Sequence, residues 1–217
     1  GLAPLDNRSL RGVFDTAPFK WEGTNPTLHR QCGKRLAMFF TRMAPLAPAD
    51  LDALVRYISN IERPSNRHRR PDGVTPSQRR GKALFERTVS NDGELISPEH
   101  RCVTCHASPY GHSEAKSIVG SAMWFDATVD VEIGDLSDVE EFGNLGVAYY
   151  YDGGAIMKRY DSAHLLNLYD SAPYLHNGAS ATLEEMWTRY NLYEAHGMAG
   201  DWTRRQLNDL IAYLKAR

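Results

Sequence analysis

The amino-acid sequence predicts a mainly α-helical protein with long loops, assembled from a unit that occurs twice. Three observations carry this expectation. Leu51, Leu54, Val55 and Ile58 recur at i, i+3, i+4 and i+7, and Leu207, Leu210, Ile211 and Leu214 repeat that spacing 156 residues later, so each set lines one face of an amphipathic helix. Residues Ser9–Leu28 align without a gap onto His164–Leu183, 155 residues further along. Between Ala107 and Ala163 no helical or strand period is sustained.

Composition sets the limits. At 217 residues, 42% hydrophobic and 24% charged, the chain is ordinary globular material with room for one large domain or two small ones. Its 25 basic and 27 acidic residues leave a net charge of -2, which gives no electrostatic reason to expect nucleic acid or an anionic membrane as a partner. No apolar run approaches the roughly 18 residues of a membrane span. The N-terminal Gly1–Arg11 lacks the charged-then-apolar layout of a signal peptide, and three cysteines make no disulfide framework.

Within the repeat, Leu10 pairs with Leu165, Phe14 with Tyr169, Asp15 with Asp170, Ala17-Pro18 with Ala172-Pro173, Gly23 with Gly178 and Thr27-Leu28 with Thr182-Leu183. An amphipathic helix closes each copy. The second opens on a capping box, Thr203 and Gln206, and basic residues follow both helices, as a helix C-terminus prefers. Between the copies, Glu62–Thr75 (ERPSNRHRRPDGVT) is rich in proline and arginine and reads as an exposed linker. The expected organisation is therefore 1–62, the C-terminal part of a first repeat; 63–74, a linker; and 75–217, a complete second domain. That domain opens with a helix capped by Thr75 and Gln78, with Pro76 at its first position, running to about Val89. The long stretch 107–163 reads as loop with short elements, organised by something other than its own apolar pattern.

The next motif supplies that something. Cys102-Val103-Thr104-Cys105-His106 is the C-x-x-C-H arrangement in which two thiols form thioethers to haem vinyl groups and the adjacent imidazole becomes the proximal iron ligand. A redox dithiol needs no trailing histidine, and a zinc site wants a second Cys/His pair at similar spacing. The fold class is thus a c-type cytochrome domain, mainly α, with long loops around one covalently bound haem c. Cys102, Cys105 and His106 bind the cofactor. A calcium ion is compatible with the sequence without being supported by it. Haem c is attached outside the cytoplasm, so the expected location is periplasmic or otherwise extracytoplasmic, with an export signal ahead of Gly1 on the precursor.

The second axial ligand has several candidates downstream: His196, Met198, Tyr190, Met186, Met157 and His176. In small c-type cytochromes this ligand precedes the closing helix, and Tyr190–Gly200 (YNLYEAHGMAG) is that loop. His196 is the first choice and Met198 the second. Met43 holds the equivalent position in the first repeat, which favours methionine, whereas chemistry favours the imidazole. Gly197 and Gly200 allow a close backbone approach under either ligand. His176 is expected near the haem edge, in contact with the group around the iron. His29, His68, His100, His112 and His164 read as surface or supporting groups, and Cys32 as a buried, inert thiol.

With these residues in place, Tyr160–Asn191, containing Tyr174-Leu175-His176-Asn177-Gly178 and Thr182-Leu183-Glu184-Glu185, resembles the bacterial dihaem cytochrome c peroxidase and MauG-like family. The resemblance covers Thr75–Arg217 with the Cys102–His106 motif, and Leu10–Ile61 looks like the tail of the preceding cytochrome domain. It implies two c-haem domains packed together, one haem transferring electrons and the other reacting with peroxide. It also keeps Tyr190 as a third choice of distal ligand, since the family places a methionine or tyrosine in the segment after Thr-Leu-Glu-Glu. The chain departs from the plan because the first repeat has no haem motif. Another chain or an N-terminal piece supplies it, or Leu10–Ile61 is a haemless cap.

The expected function is one-electron transfer through the covalently bound haem, as part of a dihaem or multihaem redox protein. An alternative is a peroxidase or MauG-like oxidoreductase, and a third is a structural haem subunit of a larger redox complex. Partners are expected to be a redox protein and a second haem-bearing chain or domain.

Overall fold

The computed structural model describes residues 9–17, 19, 27–33, 36–37, 43–106, 125–126, 150–152, 155–157, 159–160, 163–175, 178–191, 194 and 196–217. Helices carry the core: α1 (Leu28–Cys32), α2 (Pro48–Ser59), α3 (Pro76–Phe85), α4 (Cys102–Cys105), α5 (Glu185–Thr188) and α6 (Arg204–Lys215). Two antiparallel ribbons accompany them, β1 (Phe125–Asp126) with β4 (Arg159–Tyr160) and β2 (Tyr150–Asp152) with β3 (Ala155–Met157). In the second ribbon Asp152 pairs with Ala155. Among the described residues no helix is long and apolar enough to cross a membrane.

The second unit is organised by α3 lying against α6. Both helices start where their caps predict, each with a complete capping box, Thr75 with Gln78 and Thr203 with Gln206. Helix α3 ends at Phe85, short of the Val89 the sequence pattern suggested. Glu86 closes the last turn by donating its N–H to the Lys82 carbonyl at 3.0 Å, and Val89 bridges instead to Leu95 across the Asn91-Asp92-Gly93 turn. The crossing is close because residue 81 is glycine. A Cβ there would stand 2.0 Å from the Asp209 carbonyl oxygen. Around the crossing Leu84, Phe85, Leu165, Tyr174, Leu183, Leu210 and Leu214 form one buried cluster, with Leu210 fully inaccessible. Each such leucine contributes about 1.5–3 kcal/mol on burial. Asp209 is buried on the same face but not alone, since Arg80 grips both its oxygens at 2.7 and 2.9 Å and Ser77 donates to it.

The first unit repeats the second element by element. One-turn 3-10 helices at Val13–Thr16 and Leu168–Asp170 both follow a left-handed residue, Gly12 at φ 64° and Asn167 at φ 58°. Thr27 accepts from the Arg30 N–H as Thr182 accepts from the Glu185 N–H. Phe19 and Tyr174 are both buried, and α2 and α6 are both 12 residues long. Its core is separate, comprising Phe19, Leu28, Cys32, Val55 and Ile58. Cys32 sits inside it, its thiol pushed up by burial, in keeping with an inert packing role.

The segment read as an exposed linker is pinned to the end of α6. Asn66 donates to the Lys215 and Arg217 carbonyls at 2.9 and 3.1 Å, and Arg69 to the Ala216 carbonyl at 2.9 Å. These side chains satisfy carbonyls that a helix end leaves without intrahelical partners. Tyr169 donates to the Pro64 carbonyl at 2.7 Å, and Gln78 to that of His68 at 2.9 Å.

Gly81→Ala is expected to destabilise the protein by about 1–3 kcal/mol, because the added methyl meets backbone that cannot rotate away. Lys82→Ala, one position along on the exposed side, should change stability by less than about 0.5 kcal/mol. Urea unfolding midpoints of the two variants check this, and equal shifts would remove the close-approach argument.

Candidate functional site

The Cys102–His106 motif is folded as a single helical turn, the His106 N–H bonding the Cys102 carbonyl at 2.9 Å. The turn places both thiols and the imidazole on one short platform. His106 Nδ1 donates to the Ala163 carbonyl at 2.9 Å, which fixes the ring and leaves the lone pair on Nε2, as in most metal-bound histidines. Neither thiol forms a disulfide, and both are half-buried. Burial pushes Cys102 up to about 11, partly offset by the Arg87 guanidinium, and pushes Cys105 up as well. This is the reverse of the lowered thiol a redox dithiol requires.

His196 faces this platform. Its ring centre lies 6.1 Å from that of His106, with the planes 31° apart. Two imidazoles bonded to one metal at about 2 Å each have ring centres about 6 Å apart, so the spacing fits a single ion between them. Burial, with His106 alongside, pushes His196 down to about 4, leaving it neutral near pH 7 with a lone pair to give. Its position is set by a loop that bonds to itself. Asn191 accepts from the His196 N–H at 2.6 Å and donates to the Gly197 carbonyl at 2.9 Å. The Glu194 carboxylate accepts from the Ala199 and Gly200 N–H groups. Gly197 (φ 89°) is the hinge of this loop, and a Cβ on it would point at the His100 carbonyl from 3.4 Å.

The loop is then fastened to the motif. The Met198 N–H donates to the His100 carbonyl at 3.0 Å, and His100 Nδ1 donates to the Glu194 carbonyl at 3.1 Å. Arg87, two residues beyond α3, forms a bidentate pair with Asp201 at 2.6 and 2.8 Å and donates to the Met198 carbonyl at 3.0 Å. Both side chains of the pair are largely buried, 12% and 7% exposed. The Arg87 hydrogen bonds hold the Asp201 carboxyl below the usual carboxylate range, against the opposing effect of burial. The same guanidinium lies over Trp202, whose ring packs 5.7 Å from that of Trp187, and Trp187 stands edge-on to His196 at 6.3 Å.

The remaining candidates are placed elsewhere. Tyr190 is buried, and its hydroxyl donates to the Ala179 carbonyl at 2.9 Å. Met198 is tied through its backbone on both sides, while Met186 packs against the α3–α6 core. Met157 lies in β3, and His176 lies outside the described residues. Met43, the first-repeat counterpart of Met198, is exposed. Among the described residues no group of three or more His, Cys, Asp and Glu side chains is gathered as a metal cage. Two buried indole N–H groups, on Trp187 and Trp202, find no acceptor among the described residues. A prosthetic group bearing carboxylates is chemically suited to supply one. Together with the facing imidazoles and the paired thiols, the residues present fit a covalently held haem.

Asn191, Arg87, Asp201 and Trp187 were not singled out by sequence reasoning. A polar residue beside a Gly-containing loop was the one available signal for Asn191. Nothing local marks Arg87, whose partner is 114 positions away.

No family model matches the chain. The gamma subunit of hydrazine synthase from Kuenenia stuttgartiensis is 26% identical over 237 aligned positions, covering 97% of this chain and 64% of that protein, so the chain spans less than two thirds of its relative. Among solved structures, Kuenenia stuttgartiensis hydrazine synthase, studied under xenon pressure, superposes with a TM-score of 0.66 at 22% identity, over 100% of this chain and 76% of that one. A MauG-like protein associated with microbial copper homeostasis superposes with a TM-score of 0.53 at 16% identity, over 99% and 73%. The chain therefore shares the fold of the MauG-like proteins, as the sequence resemblance led one to expect.

Asp201→Asn should cost about 3–5 kcal/mol at pH 7 by leaving the buried Arg87 without a counter-charge. The wild-type carboxyl has a depressed native pKa. Its contribution is therefore complete above the ordinary Asp value of about 4 and is lost as pH falls through the native value. The stability gap between wild type and variant, measured by urea unfolding at pH 7 and pH 3, is expected to narrow at pH 3. An unchanged gap would show that the pair is not what stabilises the loop.

Proposed function

We propose that the chain is an extracytoplasmic c-type cytochrome unit that passes single electrons through one covalently bound haem, within a redox protein of several haems or chains. The observation that carries the reading is the pair of imidazoles, His106 and His196, facing one another at a ring spacing of 6.1 Å beside the Cys102 and Cys105 thiols, which form no disulfide. Cys102 and Cys105 would tether the haem, His106 would hold the iron on one side and His196 on the other. When bound, the haem supplies reversible one-electron chemistry at iron. The protein's part is to fix the His106 ring through the Ala163 carbonyl and the His196 backbone through Asn191, and to keep the His196 imidazole neutral. Were His106 and His196 both to ligate the iron, no position would be left for peroxide, and that arrangement would suit electron transfer better than catalysis. A role inside a larger assembly is supported by the likeness to a protein that is itself a subunit of hydrazine synthase. Met198 and Tyr190 take no part in ligation on this reading.

The test is the absorption and low-temperature EPR spectrum of the ferric holoprotein. A low-spin spectrum without a near-infrared methionine band is expected. His196→Ala should turn it high-spin, with added imidazole restoring the low-spin form, while Met198→Ala and Tyr190→Phe leave it unchanged. Cys102→Ser with Cys105→Ser should release the haem into acid acetone. A high-spin wild type that changes on adding peroxide would overturn electron transfer in favour of a peroxide-reacting enzyme of the dihaem cytochrome c peroxidase kind.

A further inference from the structure

The hairpin that follows α3 holds apolar residues out to water. Val89 bridges Leu95, so the two side chains share one face, and that face is open: Leu95 is 79% exposed and Val89 41%. Ser90 and Ile96, the next residue along each strand, are buried on the other side. The hairpin is firmly held. The Ile96 N–H donates to the Thr88 carbonyl at 2.9 Å and the Ser90 N–H to the Glu94 carbonyl at 2.8 Å. In the turn, Asn91 donates its N–H to the Asp201 carboxylate at 2.7 Å and accepts from Gln206 at 2.8 Å. The hairpin also stands beside the Cys102–His106 motif, because the Ile96 carbonyl accepts from Arg101 Nε at 2.7 Å and Cys102 follows directly.

We propose that the Val89–Leu95 hairpin is the docking face for a basic redox protein, one whose own electron-transfer edge is apolar and ringed by lysine ammonium groups. Charge selects that partner. Within Val89–Leu95 the charged residues are Asp92 and Glu94, both exposed. The neighbouring cations are drawn back or shared: Arg87 is 12% exposed in its pair with Asp201, Arg101 is half-buried against the Ile96 carbonyl, and Lys82 lies 3.6 Å from Glu86. A ring of ammonium groups therefore meets carboxylates around an apolar centre, the arrangement that steers encounter and fixes orientation. Because the hairpin is already anchored, docking orders little of this chain and costs correspondingly less. Seated there, the partner is one residue and one hydrogen bond, Ile96 to Arg101, from the residue beside Cys102. One electron passes from the ferrous haem to the partner's ferric iron, with no bond made or broken. The inference rests on the electron-transfer reading and adds to it the face used and the charge of the partner.

The experiment uses the full-length holoprotein with its partner chains and takes a lysine-rich mitochondrial cytochrome c as the probe, alongside the same cytochrome with its lysines succinylated. Stopped-flow mixing of the reduced holoprotein with each ferric probe gives the second-order rate, and carbodiimide coupling followed by mass spectrometry maps the contact. The basic probe is expected to react faster, to slow as salt is added, and to couple through Asp92 or Glu94. Asp92→Lys with Glu94→Lys should slow it by about tenfold, and Leu95→Ser should slow it as well, while the EPR spectrum and reduction potential stay as in the wild type. Asp50→Lys with Asp72→Lys makes the same change in net charge away from the hairpin and should leave most of the rate. Equal slowing by the two lysine pairs would overturn the proposal, since overall charge would then account for it. So would coupling confined to other carboxylates, an unchanged rate in Leu95→Ser, or an equally fast succinylated probe. A low-spin haem that reacts with neither probe would overturn this docking face and leave the ligation by His106 and His196 standing, whereas a high-spin haem would remove the electron-transfer reading first.

Discussion

The close approach of α3 to α6 at Gly81 is the constraint on which the rest of the second unit depends. With no side chain at 81, the two helices share one apolar layer, and Leu210 can be wholly excluded from solvent. The same contact aims the chain that leaves α3. Arg87 emerges at the depth and height needed to reach Asp201, three residues ahead of α6, and to take the Met198 carbonyl on the way. A packing event between two helices is thereby converted into the position of the loop that carries His196.

The buried charge at Arg87 and Asp201 is tolerable because it is fully used. The carboxylate also accepts from the Asn91 N–H, and the guanidinium lies over an indole ring, so neither group is taken from water without replacement. Beyond this pair the site is partly shielded from water, and burial has opposite consequences for its groups. It keeps the thiols protonated and the His196 imidazole neutral, since burial disfavours whichever form is charged. The indole N–H groups of Trp187 and Trp202 are the residual polarity of the pocket.

The duplicated architecture separates what each copy specifies locally from what it takes from distant segments. In each copy the turn, the capped short helix and the 12-residue closing helix are specified locally and form without reference to the other copy. The covering helix is not local. It comes from the far end of the unit in sequence, and only the second copy has its own among the described residues. The linker between the copies gains its order the same way, by donating to the free carbonyls at the end of α6 rather than through any pattern of its own.

What the sequence by itself determined is what short-range chemistry can write. The caps at Thr75 and Thr203 and the amphipathic faces of α2 and α6 each depend on residues a few positions apart, and each formed where expected. The end of α3 was missed because the Asn91-Asp92-Gly93 turn and the Val89–Leu95 bridge outweigh helix propensity there. The choice among His196, Met198 and Tyr190 was beyond the sequence, because all three lie in one stretch of loop with comparable spacing to the closing helix. The tertiary structure sets the His196 ring 6.1 Å from that of His106, holds the His196 backbone through Asn191, and commits the Tyr190 hydroxyl to the Ala179 carbonyl. The place of that loop against the motif rests on bonds between segments about a hundred residues apart, Arg87 to Met198 and His100 to Glu194, and no local pattern encodes them.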